Sequence, residues 1–424
     1  MDNSYDVIVF GGGTAGAIAG IQAGRAGAKT LLVEKNGMLG GTVTVAGINA
    51  PAHFWAWGTQ IVAGIPWELT RRTYEITGKP LPDGESSKNN GKPKHIWVDR
   101  AIFAAVCDEA SVDAGVDLLF HAMPAAVRRE AGHWSVDVCT KSGIQTADAK
   151  VLIDATGDAN IVELAGLEVM RHETVQPATL VMKLGDYDFD KLDMDALNAA
   201  SEKAIEAGEI VSTDLGWYNK GPGQLLRGRG LNSNHLRVKA AETSEGRSQA
   251  EIEARRAMLR MYRFLKAQPG IENLYIEWVA PECGIRETVM IKGKTNMTGE
   301  DYIAGRFYED AVCYSFYPID IHLNDGEGID LRPLAQNTLP TIPRGAMLPE
   351  KGECLVVAGR CIAGDRVAQS ATRVEVPCMA MGQAAGAMAA LGAKTGADPA
   401  DIPMNEIHDV LRENGAIIPG DIKL

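Results

Sequence analysis

Six residues near the N-terminus, Gly11-Gly12-Gly13-Thr14-Ala15-Gly16, restrict the fold more than any other stretch of the chain. They follow an apolar, β-branched run, Tyr5–Phe10, and open into an Ala-rich segment, which reads as strand, tight turn and helix. A second run, Lys29–Glu34, completes a βαβ unit of about 30 residues. In a Gly-x-Gly-x-x-Gly set this way, Gly11 permits the turn, Gly13 lets backbone approach a pyrophosphate, and Gly16 allows close helix–strand packing. Thr14 and Ala15 lie at the helix start, where free N–H groups and a partial positive charge face phosphates. Glu34, followed by Lys35, ends the second strand 23 residues after Gly11, where a carboxylate can accept from ribose hydroxyls. The unit therefore points to an ADP-containing dinucleotide. The motif alone does not separate FAD from NAD.

The rest of the composition narrows the class. At 424 residues the chain can hold two domains, or a nucleotide-binding domain with a second lobe. A net charge of −13 disfavours a nucleic-acid substrate, which normally demands a basic stripe. The cysteines (Cys107, Cys139, Cys283, Cys313, Cys354, Cys361 and Cys378) are scattered and contain no Cys-x-x-Cys pair. That pattern argues against a disulfide framework, a zinc ribbon or an iron–sulfur cluster, so no metal is expected. The N-terminus enters a strand without a basic, then apolar, leader, and no long uncharged apolar run suggests a membrane span. The expected location is cytoplasmic. A homo-oligomer is compatible with the sequence.

Along the chain, residues 36–95 lack clear periodicity and read as an irregular excursion, anchored by Phe54, Trp55, Trp57, Trp67 and Tyr74, with an exposed tip at Asp83–Lys94. Asp99–Ala114 reads as helix and Val116–Phe120 as strand. The alternation around Trp134–Cys139 suggests antiparallel strands, and Lys150–Ala155 a buried strand. Residues 167–340 change texture: strands at Thr179–Leu184, Ile276–Val279 and Thr288–Ile291, helices at Met194–Ala207 and Gln249–Lys266. Cys354–Ala358 returns to a buried strand, and Val376–Leu391 is strongly helical. The expected fold is α/β: a Rossmann-like dinucleotide domain from residues 1–166 and 341–424, with a mixed α+β substrate lobe over 167–340.

Two later segments carry a resemblance. Val151-Leu152-Ile153-Asp154-Ala155-Thr156-Gly157-Asp158 and the stretch from Cys354 through Gly364 to Asp365 resemble segments of FAD-dependent oxidoreductases with a glutathione-reductase-type flavin domain. Within them the chain is most similar to flavoproteins related to fumarate reductase and geranylgeranyl reductase, over roughly residues 5–50, 97–170 and 280–395. The resemblance implies FAD as cofactor. It implies that Ala155, Thr156 and Gly157 pack beside the adenosine and pyrophosphate, and that Asp365 binds ribityl hydroxyls. It also implies that the helix near Val376-Pro377-Cys378 aims its N-terminus at the flavin, which favours the reduced anion. Gly40-Gly41-Thr42 matches the turn beneath the pyrophosphate. No second Gly-x-Gly-x-x-Gly follows a strand, so a separate NADPH domain is not expected.

Catalysis needs a group that moves a proton while hydride moves. His322, in Tyr317-Pro318-Ile319-Asp320-Ile321-His322, is the first candidate because imidazole titrates near neutrality. His53 is a second; the plainer alternatives are a histidine satisfied by a backbone carbonyl for His322 and a loop cap for His53. Arg286 and Arg373 suit a carboxylate clamp, with internal pairing to Glu287 or Glu375 as the competing arrangement. Cys378 at a helix N-terminus would have a lowered pKa, although a small packing residue is the favoured reading of it. The expected function is hydride transfer between a small polar substrate and flavin, with the electron partner unspecified. A flavin-dependent monooxygenase and an electron-transfer flavoprotein subunit are the rival readings.

Overall fold

The computed structural model describes residues 2–84, 96–217, 221–324 and 328–422. The first two apolar runs form β1 (Ser4–Phe10) and β2 (Thr30–Glu34), parallel neighbours aligned from Val7 opposite Thr30 to Phe10 opposite Val33. Val7, Ile8, Val9 and Phe10 are fully buried, as strands covered on both faces must be. Between them runs α1 (Gly16–Arg25).

The 36–95 stretch is more ordered than its sequence suggests. It holds a small hairpin, β3 (Trp55–Ala56) and β4 (Thr59–Gln60), and a 14-residue helix, α2 (Gly64–Thr77). The expectation of an irregular excursion is corrected here. Ile65, Leu69 and Thr73, four residues apart, turn one face inward, and Gly78 ends the helix in the left-handed region at φ +66°. Trp67 packs edge-on against both Phe54 and Trp55, with ring centroids 5.1 and 4.9 Å away. Most of the expected tip at Asp83–Lys94 lies outside the described residues.

Next come α3 (Arg100–Asp113), capped by the Asp99 carboxylate, then β5 (Val116–Phe120), β6 (Met123–Glu130), β7 (His133–Thr140) and the long β8 (Gly143–Asp154). The sheet order is β5-β2-β1-β8-β7-β6. One edge of β8 is shared: Ile144–Ala149 pair antiparallel with β7, and Leu152–Asp154 pair parallel with a strand from the far end of the chain, Leu355–Val357. Phe10, Val33, Asp154 and Val357 therefore end together, and the loops that follow them emerge at one end of the parallel sheet. Ligands of open parallel sheets bind at that end.

The helix Glu375–Thr395 lies across α1. A Cβ at Gly382 would sit 2.1 Å from the Ala15 carbonyl oxygen, and one at Gly386 would sit 2.4 Å from that of Ala19. The Ala/Gly/Met composition of this helix thus serves close helix packing. The helix is long and apolar enough to cross a membrane, and 94% of its most apolar window is buried inside the protein.

Two smaller cores draw on residues 178–285, while residues 289–334 contribute to the main core. In the 178–285 segment the strand Met182–Gly185 pairs with Gly230–Leu231 and Tyr275–Val279. It is shorter than the expected Thr179–Leu184 run, because Thr179 instead bridges to Gly284. The helix Ser244–Lys266 buries Ala250, Ala254, Ala257, Met261 and Leu265 and turns Arg255 and Arg256 outward.

Candidate functional site

The glycine turn is shaped by what it touches. Gly11 sits at φ +92°, and a Cβ there would meet the Ala155 carbonyl oxygen at 2.5 Å, so the loops after β1 and β8 can approach only at glycine. Gly13 differs. A Cβ on it would meet nothing nearer than the Gly41 Cα at 3.9 Å, which leaves open space beside the backbone. Ala15, the N-cap of α1, has no side-chain acceptor for the first-turn amides, and no acidic side chain lies in that turn. Glu34 is buried; its Oε2 accepts from the Gly12 amide at 2.6 Å and its Oε1 from Asn36 at 2.8 Å. Burial pushes its pKa up, and those amides act against the shift. Thr14 Oγ1 reaches the Gly40 carbonyl at 3.5 Å, and the Thr42 carbonyl accepts from Ile48. Lys35 pairs with Glu282.

The second segment is organised by Asp154. Its carboxylate is fully buried and accepts from Thr156 Oγ1 and N and from the amides of Ile161 and Val162, which outlines the turn through Ala155 and Gly157. Gly157 packs under the Arg360 guanidinium, which pairs with Asp158; Asp158 also meets Arg247 at 2.8 Å. Asp365 caps the helix Arg366–Thr372 through Ala368 and accepts from Gly299 at 2.8 Å; Gly364 bridges to Met297. Val376 and Cys378 are buried in the first turns of Glu375–Thr395. The expected low thiol pKa at Cys378 is corrected: burial pushes it up strongly, with Glu375 adding to the rise. Glu375 itself is buried and pushed up to about 7.

These features fit a dinucleotide: open backbone at Gly13, amides at the start of α1 that no side chain caps, and a carboxylate at the end of β2 whose oxygens keep further lone pairs for ribose hydroxyls.

A buried polar cluster lies between the sheet side and the 178–285 segment. His322, on the strand Ile319–His322, has its Nδ1 2.6 Å from Nε2 of His235 and its Nε2 3.4 Å from Asp320 Oδ1. Its amide donates to Gln176 Oε1, which also accepts from Arg373 Nη2 at 3.2 Å. Desolvation, then the Arg286 charge, lowers its pKa to about 4, against the partial support of Asp320. The expectation of a histidine titrating near neutrality is corrected accordingly. His235, which the sequence reading passed over, is pushed down to about 2, by burial first and then Arg286. Trp217 stacks on His235, centroids 6.2 Å apart, and meets His322 edge-on at 5.5 Å.

Arg286 is buried, and burial, then Arg373, lowers its pKa to about 9. It donates to the Pro177 carbonyl at 2.7 Å and to Asn232 Oδ1 at 3.1 Å, and it pairs with no carboxylate within 4 Å among the described residues. Glu287 pairs with Arg366 instead, 3.2 Å away, and Arg373 lies 3.7 Å from Asp320. His53 is buried and stacked on Tyr317, ring centroids 5.5 Å apart.

A model of the family described as FAD dependent oxidoreductase matches residues 6–411. The digeranylgeranylglycerophospholipid reductase of Methanococcus aeolicus is 27% identical over 184 residues, 41% of this chain and 44% of the relative. That of Methanoculleus marisnigri is 29% identical over 208 residues, 46% and 48% of the two chains. The chain therefore spans less than half the length of these curated relatives. Among solved structures, a geranylgeranyl bacteriochlorophyll reductase-like protein from Thermoplasma acidophilum aligns with 97% of this chain and 84% of its own, at 13% identity and a TM-score of 0.44.

Proposed function

Because the chain belongs to the FAD-dependent oxidoreductase family over residues 6–411, we propose that it moves a hydride between FAD and a small, anionic organic substrate. It is an oxidoreductase and its cofactor is FAD. When bound, FAD supplies the two-electron acceptor or donor. In this reading Gly11, Gly13, Gly16 and the amides of Thr14 and Ala15 hold the pyrophosphate, with Gly41 and Thr42 beneath it. Glu34 holds the adenosine ribose, Ala155–Gly157 flank it, and Asp365 and the start of Glu375–Thr395 border the flavin end. In this reading residues 1–166 and 341–424, with 289–334 packed into the same core, form the nucleotide side, and the 178–285 segment the substrate side.

The observation that carries the substrate class is Arg286. A guanidinium removed from water and left without a carboxylate is costly, and an anionic substrate group is the counter-ion that offsets the cost. Arg373 adds positive charge, partly balanced by Asp320. His322 lies in the same cluster, and the imidazoles there are the groups suited to the proton that accompanies hydride.

The test is anaerobic mixing of FAD-loaded protein with a panel of small hydroxy, amino and unsaturated acids, followed by product identification by mass spectrometry. Bleaching of the flavin with a product changed by two hydrogens supports the reading. NADPH-driven oxygen consumption with a hydroxylated product would replace it with the monooxygenase.

A further inference from the structure

Asp320, His322 and His235 form a single file in which each polar atom but the last has a partner. Asp320 Oδ1 faces His322 Nε2 at 3.4 Å, and His322 Nδ1 faces His235 Nε2 at 2.6 Å. His235 Nδ1 has no hydrogen-bond partner among the described residues, although the residue is 3% exposed. The file fixes the tautomers. A proton on His322 Nε2 points at the carboxylate, whereas a lone pair there would be repelled by it. His322 Nδ1 is then bare and accepts the Nε2–H of His235, which leaves His235 Nδ1 as a bare lone pair. Backbone contacts hold His235 in place: its amide donates to the Thr213 carbonyl at 3.1 Å, and Leu236 and Ala178 exchange bonds at 2.9 Å. Asn234 alongside accepts from the Leu180 amide at 3.1 Å.

The ring stacked on His235 has the opposite need. Trp217 Nε1 is a buried donor, also without a partner among the described residues. One substrate group that donates to a bare imidazole nitrogen and accepts from an indole N–H is a hydroxyl. Arg286 stands close by, bonded to Asn232, and lacks a carboxylate. An anion and a hydroxyl on one molecule describe a hydroxy acid.

We propose that His235 Nδ1 is the atom that exchanges a proton with the hydroxyl of a hydroxy-acid substrate, with His322 and Asp320 as positioning residues behind it. The proposal rests on the hydride-transfer reading above. In the oxidative direction the C–H bond breaks and the substrate loses two electrons as hydride to FAD. The O–H bond breaks and its proton goes to His235 Nδ1, and the carbonyl C=O forms. The Nε2 proton of His235 shifts to His322 Nδ1, and the resulting charge is held by Asp320. Reduction runs the same path in reverse. The charged groups facing the pair are Arg286 and Arg373, which disfavour protonation, and Asp320, which favours it. The base therefore stays unprotonated through neutral pH.

The first measurement needs no substrate: histidine-selective 15N labelling of the FAD-loaded protein, with imidazole signals assigned through His235→Gln and His322→Gln. A bare Nδ1 and protonated Nε2 on His235 are expected, and a proton on His235 Nδ1 overturns the proposal. The second follows flavin bleaching by the hydroxy acid that reduces the wild-type protein. His235→Gln should keep its FAD and bleach roughly 100-fold or more slowly. Asp320→Asn should slow bleaching less and move the acid limb of the pH profile to lower pH, a shift that mere packing damage would not produce. His235→Gln bleaching at the wild-type rate overturns the proposal alone. A wild-type flavin that other acids bleach but no hydroxy acid does overturns it too. A wild-type flavin that nothing on the panel bleaches overturns the hydride-transfer reading beneath it.

Discussion

Glu34 Oε2 accepts the backbone amide of Gly12 at 2.6 Å, so the carboxylate that ends β2 also holds the glycine turn after β1. Glu34→Ala removes that acceptor, the one for Asn36 and the expected one for ribose. Hydrogen bonds to a charged group contribute about 1.5–3 kcal/mol, so FAD should bind roughly 10- to 100-fold more weakly. Fluorescence titration of apoprotein with FAD measures this directly.

Arg286→Met should separate the two ligands. FAD affinity and the visible spectrum should stay as in the wild-type protein, because the Arg286 side chain bonds only to Pro177 and Asn232 among the described residues. The substrate KM should rise on the order of 100-fold, since truncating one partner of a buried charge pair costs about 2–5 kcal/mol. Steady-state kinetics of the bleaching substrate would show it, and an unchanged KM would remove the anionic-substrate assignment.

Glu375 and the histidine pair oppose one another in acid. Glu375 is raised to about 7, so its cost is absent below its ordinary value of 4.5 and complete above pH 7. His322, lowered to about 4 from 6.5, stabilises the fold above pH 6.5, and that contribution is lost as pH falls toward 4. His235 acts in the same sense, down to about 2. Glu375→Gln should therefore raise Tm at pH 8 and leave it unchanged at pH 4.5. Thermal melts across that range check the sign.

Thiol labelling tests the corrected view of Cys378. Cys139 is exposed and Cys378 is buried with a raised pKa. Iodoacetamide at pH 8 should modify Cys139 in the native protein and spare Cys378 until unfolding, as peptide mapping would record.

Much of this fold is legible in the sequence where a local pattern and its partner lie close together. Tyr5–Phe10, the glycine turn and Glu34 form one βαβ unit, and the strand near Cys354–Ala358 is apolar enough to need a buried place in a sheet. The helix Gly64–Thr77 was also within reach through the spacing of Ile65, Leu69 and Thr73, but Pro66 and the surrounding tryptophans obscure it. His235 could not be found that way. It lies in a loop, and its meaning comes from His322, 87 residues away. The Cys378 error has a similar origin: a helix N-terminus lowers a thiol pKa only where water or a cation can support the anion, and burial decides otherwise.

Gly13 offers the most direct test, because space beside it is open in the fold and would be filled by a pyrophosphate. Apart from its chain neighbours, its added Cβ would meet no heavy atom nearer than the Gly41 Cα at 3.9 Å, so Gly13→Val should fold with a Tm close to that of wild-type apoprotein. The same side chain should stop FAD uptake, leaving the purified protein colourless while the wild-type protein carries the flavin absorbance. A folded Gly13→Val protein that binds FAD as tightly as the wild type would contradict a flavin site at this turn.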